Sequence, residues 1–140
     1  MIALLCALLS GVMFYFSQGL DNVWALAWIA PLPLLWLAYG KAPTWQLFLA
    51  GIGAFAWGQV YVVQCYGGTI PTAVLVPVLT VLSISFAATL LFARAAYRRL
   101  PAMAALIAFP ALWSAFEYVF SLVSPNGGYG ALAYAEVSLP

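Results

Sequence analysis

Long apolar runs with almost no charge between them constrain this chain more than any other feature. Four basic and three acidic residues stand among 140, and 67% of the chain is hydrophobic. Soluble domains carry about 25% charged residues, so a chain with 5% cannot cover a globule with polar surface. A helix of about 20 apolar residues crosses the hydrocarbon layer of a bilayer. The composition therefore predicts an all-α, polytopic membrane helical bundle.

Five apolar runs divide the chain into about five expected transmembrane helices. They cover residues 2–16, 23–39, 45–66, 72–96 and 102–123. The first run is short for a span, and it can pair with the second as a tilted hairpin. We expect residues 1–140 to form a single transmembrane domain. Residues 124–140, which begin with a Gly-rich stretch, are expected to form an outer loop and the start of a truncated following element.

Two local patterns indicate how these helices pack. Pro31 and Pro33 remove backbone donors inside the second run, so they predict a kink there. Ala50, Ala54 and Gly58 recur every four residues and give the third run a face without bulk. That face predicts helix–helix association at close range.

The basic residues predict an orientation. Lys41 lies between the second and third runs, whereas Arg94, Arg98 and Arg99 end the fourth. Alternating spans place both loops on one side, which the positive-inside rule assigns to the cytoplasm. The long arginine stems are expected to snorkel to the headgroups. The N-terminus is therefore predicted to be cytoplasmic.

The sequence offers no complete catalytic machinery. A net charge of +1 gives no field to attract nucleic acid. The chain has no histidine, and Cys6 and Cys65 match no metal-ligand spacing. It also shows no Gly-rich phosphate loop, no Ser/His/Asp set and no paired carboxylates. We predict no catalytic residue, no metal and no cofactor in this chain.

Glu117 is an acidic residue inside an apolar run, where insertion costs about 2.5 to 3.5 kcal/mol at mid-bilayer. One interpretation is structural: a protonated or hydrogen-bonded side chain that reaches Gln59, Gln64 or a tyrosine and holds helices together. The other is functional: a polar pocket for a lipid headgroup or a peptide amine. The candidate pocket residues are Glu117, Trp113, Tyr61, Tyr66 and Tyr134.

The order of short motifs resembles the membrane domain of apolipoprotein N-acyltransferase. The opening hairpin is similar at residues 9–11, 21–28 and 31–35, and the third helix with its outer turn at residues 51–68. The most specific stretch is Pro-Ala-Leu-Trp at 110–113, followed by Phe-Glu-Tyr at 116–118 and by residues 130–136. In place of the family's common Arg-Gly and Phe-Pro-Trp elements, the chain carries Phe-Ser and Asn-Gly-Gly.

This resemblance implies a location, partners and a reaction. Family members sit in the bacterial inner membrane and transfer an acyl chain from a phospholipid to the N-terminal amine of a lipoprotein cysteine. Their catalytic Glu, Lys and Cys belong to a nitrilase-like domain, which is expected beyond Pro140. The chain alone is then predicted to be inactive. It would be a platform that anchors the enzyme and docks phospholipid and lipoprotein, with the lipoprotein substrate engaged via that further domain. The alternative is a small non-enzymatic membrane protein, such as a transporter subunit or an assembly scaffold.

Overall fold

A computed structural model describes residues 1–18 and 23–123, and these residues confirm the all-α prediction. They form seven helical segments without a strand: α1 Ile2–Gln18, α2 Ala25–Ile29, α3 Leu32–Tyr39, α4 Thr44–Gly58, α5 Val60–Tyr66, α6 Thr72–Arg99 and α7 Ala102–Val123. Because α2 continues into α3 and α4 into α5, the segments make five rods that run alternately up and down.

Two of the five rods are interrupted. The second breaks at Ala30 and Pro31, and Pro33 then lies in the first turn of α3, where its lack of an N–H costs nothing. The third rod breaks at Gln59, a buried residue whose N–H still bonds back to the Phe55 carbonyl. The break at Pro31 agrees with the kink that the prolines predict. The break at Gln59 was not predicted, because the sequence has no proline near it.

Phe86 of α6 lies at the centre of the core that α1, α4 and α6 build together. It is fully buried. Its ring meets four others at centroid distances of 4.7 to 5.8 Å: Phe55, Trp113, Phe14 and Phe109. Stacked and edge-to-face pairs of this kind add about 0.5–1.5 kcal/mol each beyond area burial. The same cluster joins α7 to the bundle.

The small-residue face of α4 packs against α1. Ala50, Ala54 and Gly58 are all buried. At Gly58 the approach is so close that an added Cβ would lie 2.4 Å from the Phe14 Cβ. Only glycine fits there. The small residues at four-residue intervals therefore allow α4 to pack closely against α1 within the chain.

α7 is the least enclosed of the long helices. Only 11% of its most apolar stretch is buried, against 39% for α6 and 44% for the rod of α4 and α5. It packs chiefly against α6. Its other faces present apolar side chains, which suits a helix in contact with lipid.

Three of the rods are long and apolar enough to cross a membrane, namely Thr44–Cys65, Thr72–Arg99 and Ala102–Val123. The rods Ile2–Ser17 and Ala25–Tyr39 are apolar but shorter. The bounds of the five expected spans therefore stay a prediction.

The alternating rods bring the basic residues Lys41, Arg94, Arg98 and Arg99 to one end of the bundle, here called the basic end. One of them departs from the expected snorkelling. The Arg94 side chain is only 6% exposed, and its Nη2 donates to the Ala42 carbonyl. Arg98 and Arg99 are exposed. Arg94 turns inward because the α3–α4 turn offers it a backbone carbonyl as acceptor.

Candidate functional site

A groove of about 410 Å³ separates α7 from the rod of α2 and α3. One wall carries Ala27, Trp28, Pro31, Leu32 and Leu35, and the other carries Leu106, Phe109, Pro110, Trp113, Ser114 and Glu117. The two walls run antiparallel, and most of their side chains are apolar. The groove therefore fits an apolar chain better than a polar solute.

Polar groups gather at one end of this groove. Ser114 and Glu117 stand on the α7 wall, facing Trp28 near the start of the other rod. Glu117 is half-buried and lies six residues before Val123, where α7 ends. That is about 9 Å along the helix axis. A ligand in the groove would thus meet a carboxyl and a hydroxyl at one end and only apolar side chains at the other.

Trp113 forms the boundary between the groove and the core. Its ring packs against Phe55 at 5.3 Å and against Phe116 at 5.3 Å. The indole Nε1 is buried and finds no hydrogen-bond acceptor among the described residues. Its role in the groove is thus that of an apolar wall, held rigidly by the aromatic core behind it.

Two of the five predicted pocket residues line the groove. Trp113 and Glu117 line the groove, whereas Tyr61 is half-buried on α5 and is absent from the groove lining. Tyr66 ends α5, and only its backbone is described. Tyr134 lies outside the described residues. A shared pocket for all five stays a prediction.

Sequence reasoning did not find most of the groove. Its α7 wall did carry a signal, because Leu106, Pro110, Trp113 and Glu117 follow one another at the three- and four-residue steps of a helix face. The facing wall carried none. Nothing in the sequence says that Leu32 and its neighbours stand opposite α7.

The described lining of the groove offers mainly apolar contacts, with one carboxyl and one hydroxyl. The described residues contain no group of three or more His, Cys, Asp or Glu side chains that could hold a metal ion. Glu117 is the acidic residue among them, and no His, Lys or Cys lines the groove beside it. The arrangement can hold an amphiphile in a defined orientation.

Comparison with known proteins gives the family. The model of the apolipoprotein N-acyltransferase N-terminal domain matches residues 10–140, nearly the whole chain. Neither a curated protein nor a solved structure matches significantly. The match covers every described helix except the first residues of α1, in a chain whose long apolar helices suit a membrane. The chain therefore belongs to the apolipoprotein N-acyltransferase N-terminal domain family.

Proposed function

We propose that this domain anchors an apolipoprotein N-acyltransferase in the bacterial inner membrane and docks the phospholipid donor in the groove between α3 and α7. The observation that carries this proposal is the groove itself, which is apolar along most of its length and polar at one end. The acyl transfer is assigned, by family resemblance, to a nitrilase-like domain. The N-terminus is cytoplasmic in this proposal.

The dimensions of the groove suit one acyl chain. On α7 its lining runs from Leu106 to Glu117, which is about 16 Å along the helix. That is roughly half of the ~30 Å hydrocarbon thickness, the depth that the chains of one leaflet fill. Because α7 has few neighbours besides α6, a lipid can reach the groove sideways from the bilayer.

The polar end suggests which lipid is favoured. The carboxylate of Glu117 attracts a cationic group, and burial near hydrocarbon strengthens that attraction relative to water. A phospholipid with an amine in its headgroup supplies such a cation. Ser114 on the same wall can donate to an ester carbonyl.

A photoreactive phospholipid tests the groove directly. The chain is placed in lipid nanodiscs that contain phosphatidylethanolamine with a diazirine on one acyl chain, and the labelled peptides are mapped by mass spectrometry. Leu106→Trp should remove most labelling of the groove walls because the indole fills the groove. Ile107→Trp is the matched control, since Ile107 is 59% exposed and Leu106 60%, but Ile107 does not line the groove. Equal labelling in the two variants would contradict the docking site.

The role of Glu117 needs a second comparison. Glu117→Gln should weaken labelling by phosphatidylethanolamine more than labelling by phosphatidylglycerol, because only the former carries an amine. The unfolding of the variant in detergent is measured alongside. Equal loss of labelling with both lipids, together with lower stability, would favour the structural interpretation of Glu117.

Complementation tests the anchoring role. In a bacterial strain that lacks its apolipoprotein N-acyltransferase, the chain joined to a nitrilase-like domain should restore growth, and the chain alone should not. Rescue by the chain alone would contradict the platform proposal.

A further inference from the structure

The basic end carries positive charge that no acidic side chain among the described residues neutralises. Lys41, Arg98 and Arg99 are exposed there. Glu117, the acidic residue that the structure describes, lies 15 residues beyond the start of α7. That is about 22 Å from this end along the helix. An anion that pairs with these basic side chains must therefore come from outside the described residues.

Arg94 adds a buried cation to this end. Its Nη2 donates to the Ala42 carbonyl, while Nε and Nη1 are buried without a hydrogen-bond acceptor among the described residues. A buried charge is costly unless it is paired. An anion bound close by would lower that cost. The hydrogen bond to Ala42 ties the guanidinium to the turn between α3 and α4.

A pocket of about 510 Å³ opens beside that turn, between the start of α1, the end of α3 and the start of α4. Lys41, Ala42, Gln46 and Trp36 are among the residues that line it. It offers an ammonium group, an amide donor and an indole ring, and the Arg94 guanidinium holds its wall through Ala42. This combination of cation, donor and aromatic ring suits a group that is anionic at one end and apolar at the other.

The depth of the pocket fits the headgroup layer. α6 has 28 residues and is about 42 Å long, so it exceeds the ~30 Å hydrocarbon thickness by about 12 Å. Its last turns, which carry the arginines, can therefore lie among the headgroups. The anions available at that level are lipid phosphates, and basic pockets between helices at this surface suit anionic headgroups.

We propose that the pocket at the α3–α4 turn binds the phosphodiester of an anionic phospholipid in the leaflet at the basic end. The Lys41 ammonium pairs with the phosphate and the Gln46 amide donates to it, while Trp36 packs on the apolar part of the lipid. Arg94 positions the turn and adds to the positive potential. In the orientation proposed above this is the cytoplasmic leaflet, on the opposite side from the polar end of the donor groove. The site does not depend on acyl transfer or on that groove.

Native mass spectrometry tests the site. The full chain is released from nanodiscs of phosphatidylcholine with or without phosphatidylglycerol, and retained lipids are counted. We expect one phosphatidylglycerol to be retained in preference to phosphatidylcholine. Lys41→Gln should weaken that retention about fivefold, the ratio that ~1 kcal/mol per basic residue corresponds to. Lys41→Arg should keep most of it.

Arg99→Gln is the matched control. It removes one positive charge at the same end, but Arg99 lines a separate surface groove between α6 and α7. It should leave the retained lipid unchanged. Equal losses in Lys41→Gln and Arg99→Gln would show diffuse attraction to the surface and overturn the site, as would equal retention of the two lipids.

Thermal unfolding in a neutral detergent distinguishes a site for a lipid phosphate from a site for free inorganic phosphate. Short-chain phosphatidylglycerol should raise the unfolding temperature of the unmodified chain, and the rise should shrink in Lys41→Gln. Inorganic phosphate at the same concentration should have no such effect. An equal rise with inorganic phosphate would identify a site for the free anion and contradict the lipid proposal.

Discussion

The contact between α1 and α4 makes Gly58 the position where the smallest added group should have the largest effect. An added Cβ would lie 2.4 Å from the Phe14 Cβ. Carbon atoms in contact stay about 3.5–4.0 Å apart, so the two helices would have to separate by about 1 Å. The Phe14 Cβ cannot rotate away, because it is attached directly to the α1 backbone. We expect Gly58→Ala to destabilise the bundle by about 1–3 kcal/mol through overpacking.

The same helix supplies a matched control. At Gly53 of α4, none of the described residues comes within 4 Å of an added Cβ. Gly53→Ala should therefore leave stability unchanged or raise it by up to about 1 kcal/mol, since alanine favours a helix more than glycine does. Gly11 lies between these extremes, with 3.1 Å to the Trp57 Cβ, and Gly11→Ala should have an intermediate effect.

Reversible unfolding in mixed micelles of mild detergent and SDS, followed by tryptophan fluorescence, measures these differences. Gly58→Ala and Gly53→Ala should differ by about 1–4 kcal/mol, which is roughly fivefold to 1,000-fold in the unfolding equilibrium. From the most to the least stable, the expected order of the variants is Gly53→Ala, Gly11→Ala and Gly58→Ala. If Gly58→Ala were as stable as Gly53→Ala, the close approach of α1 and α4 would be refuted.

Three further predictions use the same unfolding assay, each with its own internal control. Phe86→Ala should lower the free energy of unfolding by about 3–5 kcal/mol because it removes the centre of the aromatic core. Phe92→Ala, which removes an exposed ring of the same helix, should lower it by less than about 1 kcal/mol. Similar losses in the two variants would contradict the assigned core. Ser10→Ala should not lower stability, since the buried Ser10 hydroxyl has no hydrogen-bond partner among the described residues. Ser17→Ala should lower stability by about 1 kcal/mol, because the Ser17 hydroxyl donates to the Phe14 carbonyl 3.0 Å away. Trp113→Phe should change stability by no more than about 1 kcal/mol, since the lost volume is offset by removal of an N–H that has no acceptor among the described residues. Trp113→Ala should cost about 3–5 kcal/mol. A Phe variant as unstable as the Ala variant would point to an acceptor for the indole.

Much of the fold was predictable because hydrophobicity and helix length are local properties. The scarcity of charge required an apolar environment, and backbone groups in such an environment must bond within helices. The sequence also located the proline break near Pro31 and the small-residue face of α4, since both depend on residues a few positions apart. The ordered motifs between residues 9 and 136, most specifically those at 110–118, indicated the family, which the match to residues 10–140 confirms.

The candidate site was only half visible. Glu117 could be singled out because it is a carboxyl inside an apolar run, and Trp113 because it belongs to the Pro-Ala-Leu-Trp motif; both line the groove. The opposite wall, with Trp28 and Leu32, depends on which helices become neighbours. Apolar helices of similar composition offer few sequence differences that would decide this, because every pairing buries much the same kind of surface.

The sequence by itself determined that this protein is helical, apolar and a member of its family, and it placed one carboxyl inside an apolar helix. Only the tertiary structure decided that α7 stands away from α3 and leaves a groove beside Glu117, and that Arg94 turns inward to the Ala42 carbonyl. The physical reason is that hydrophobicity acts without direction, whereas grooves and hydrogen bonds require particular atoms to meet. Such meetings are set by the close packing of side chains from distant parts of the chain, as at Gly58 and Phe14.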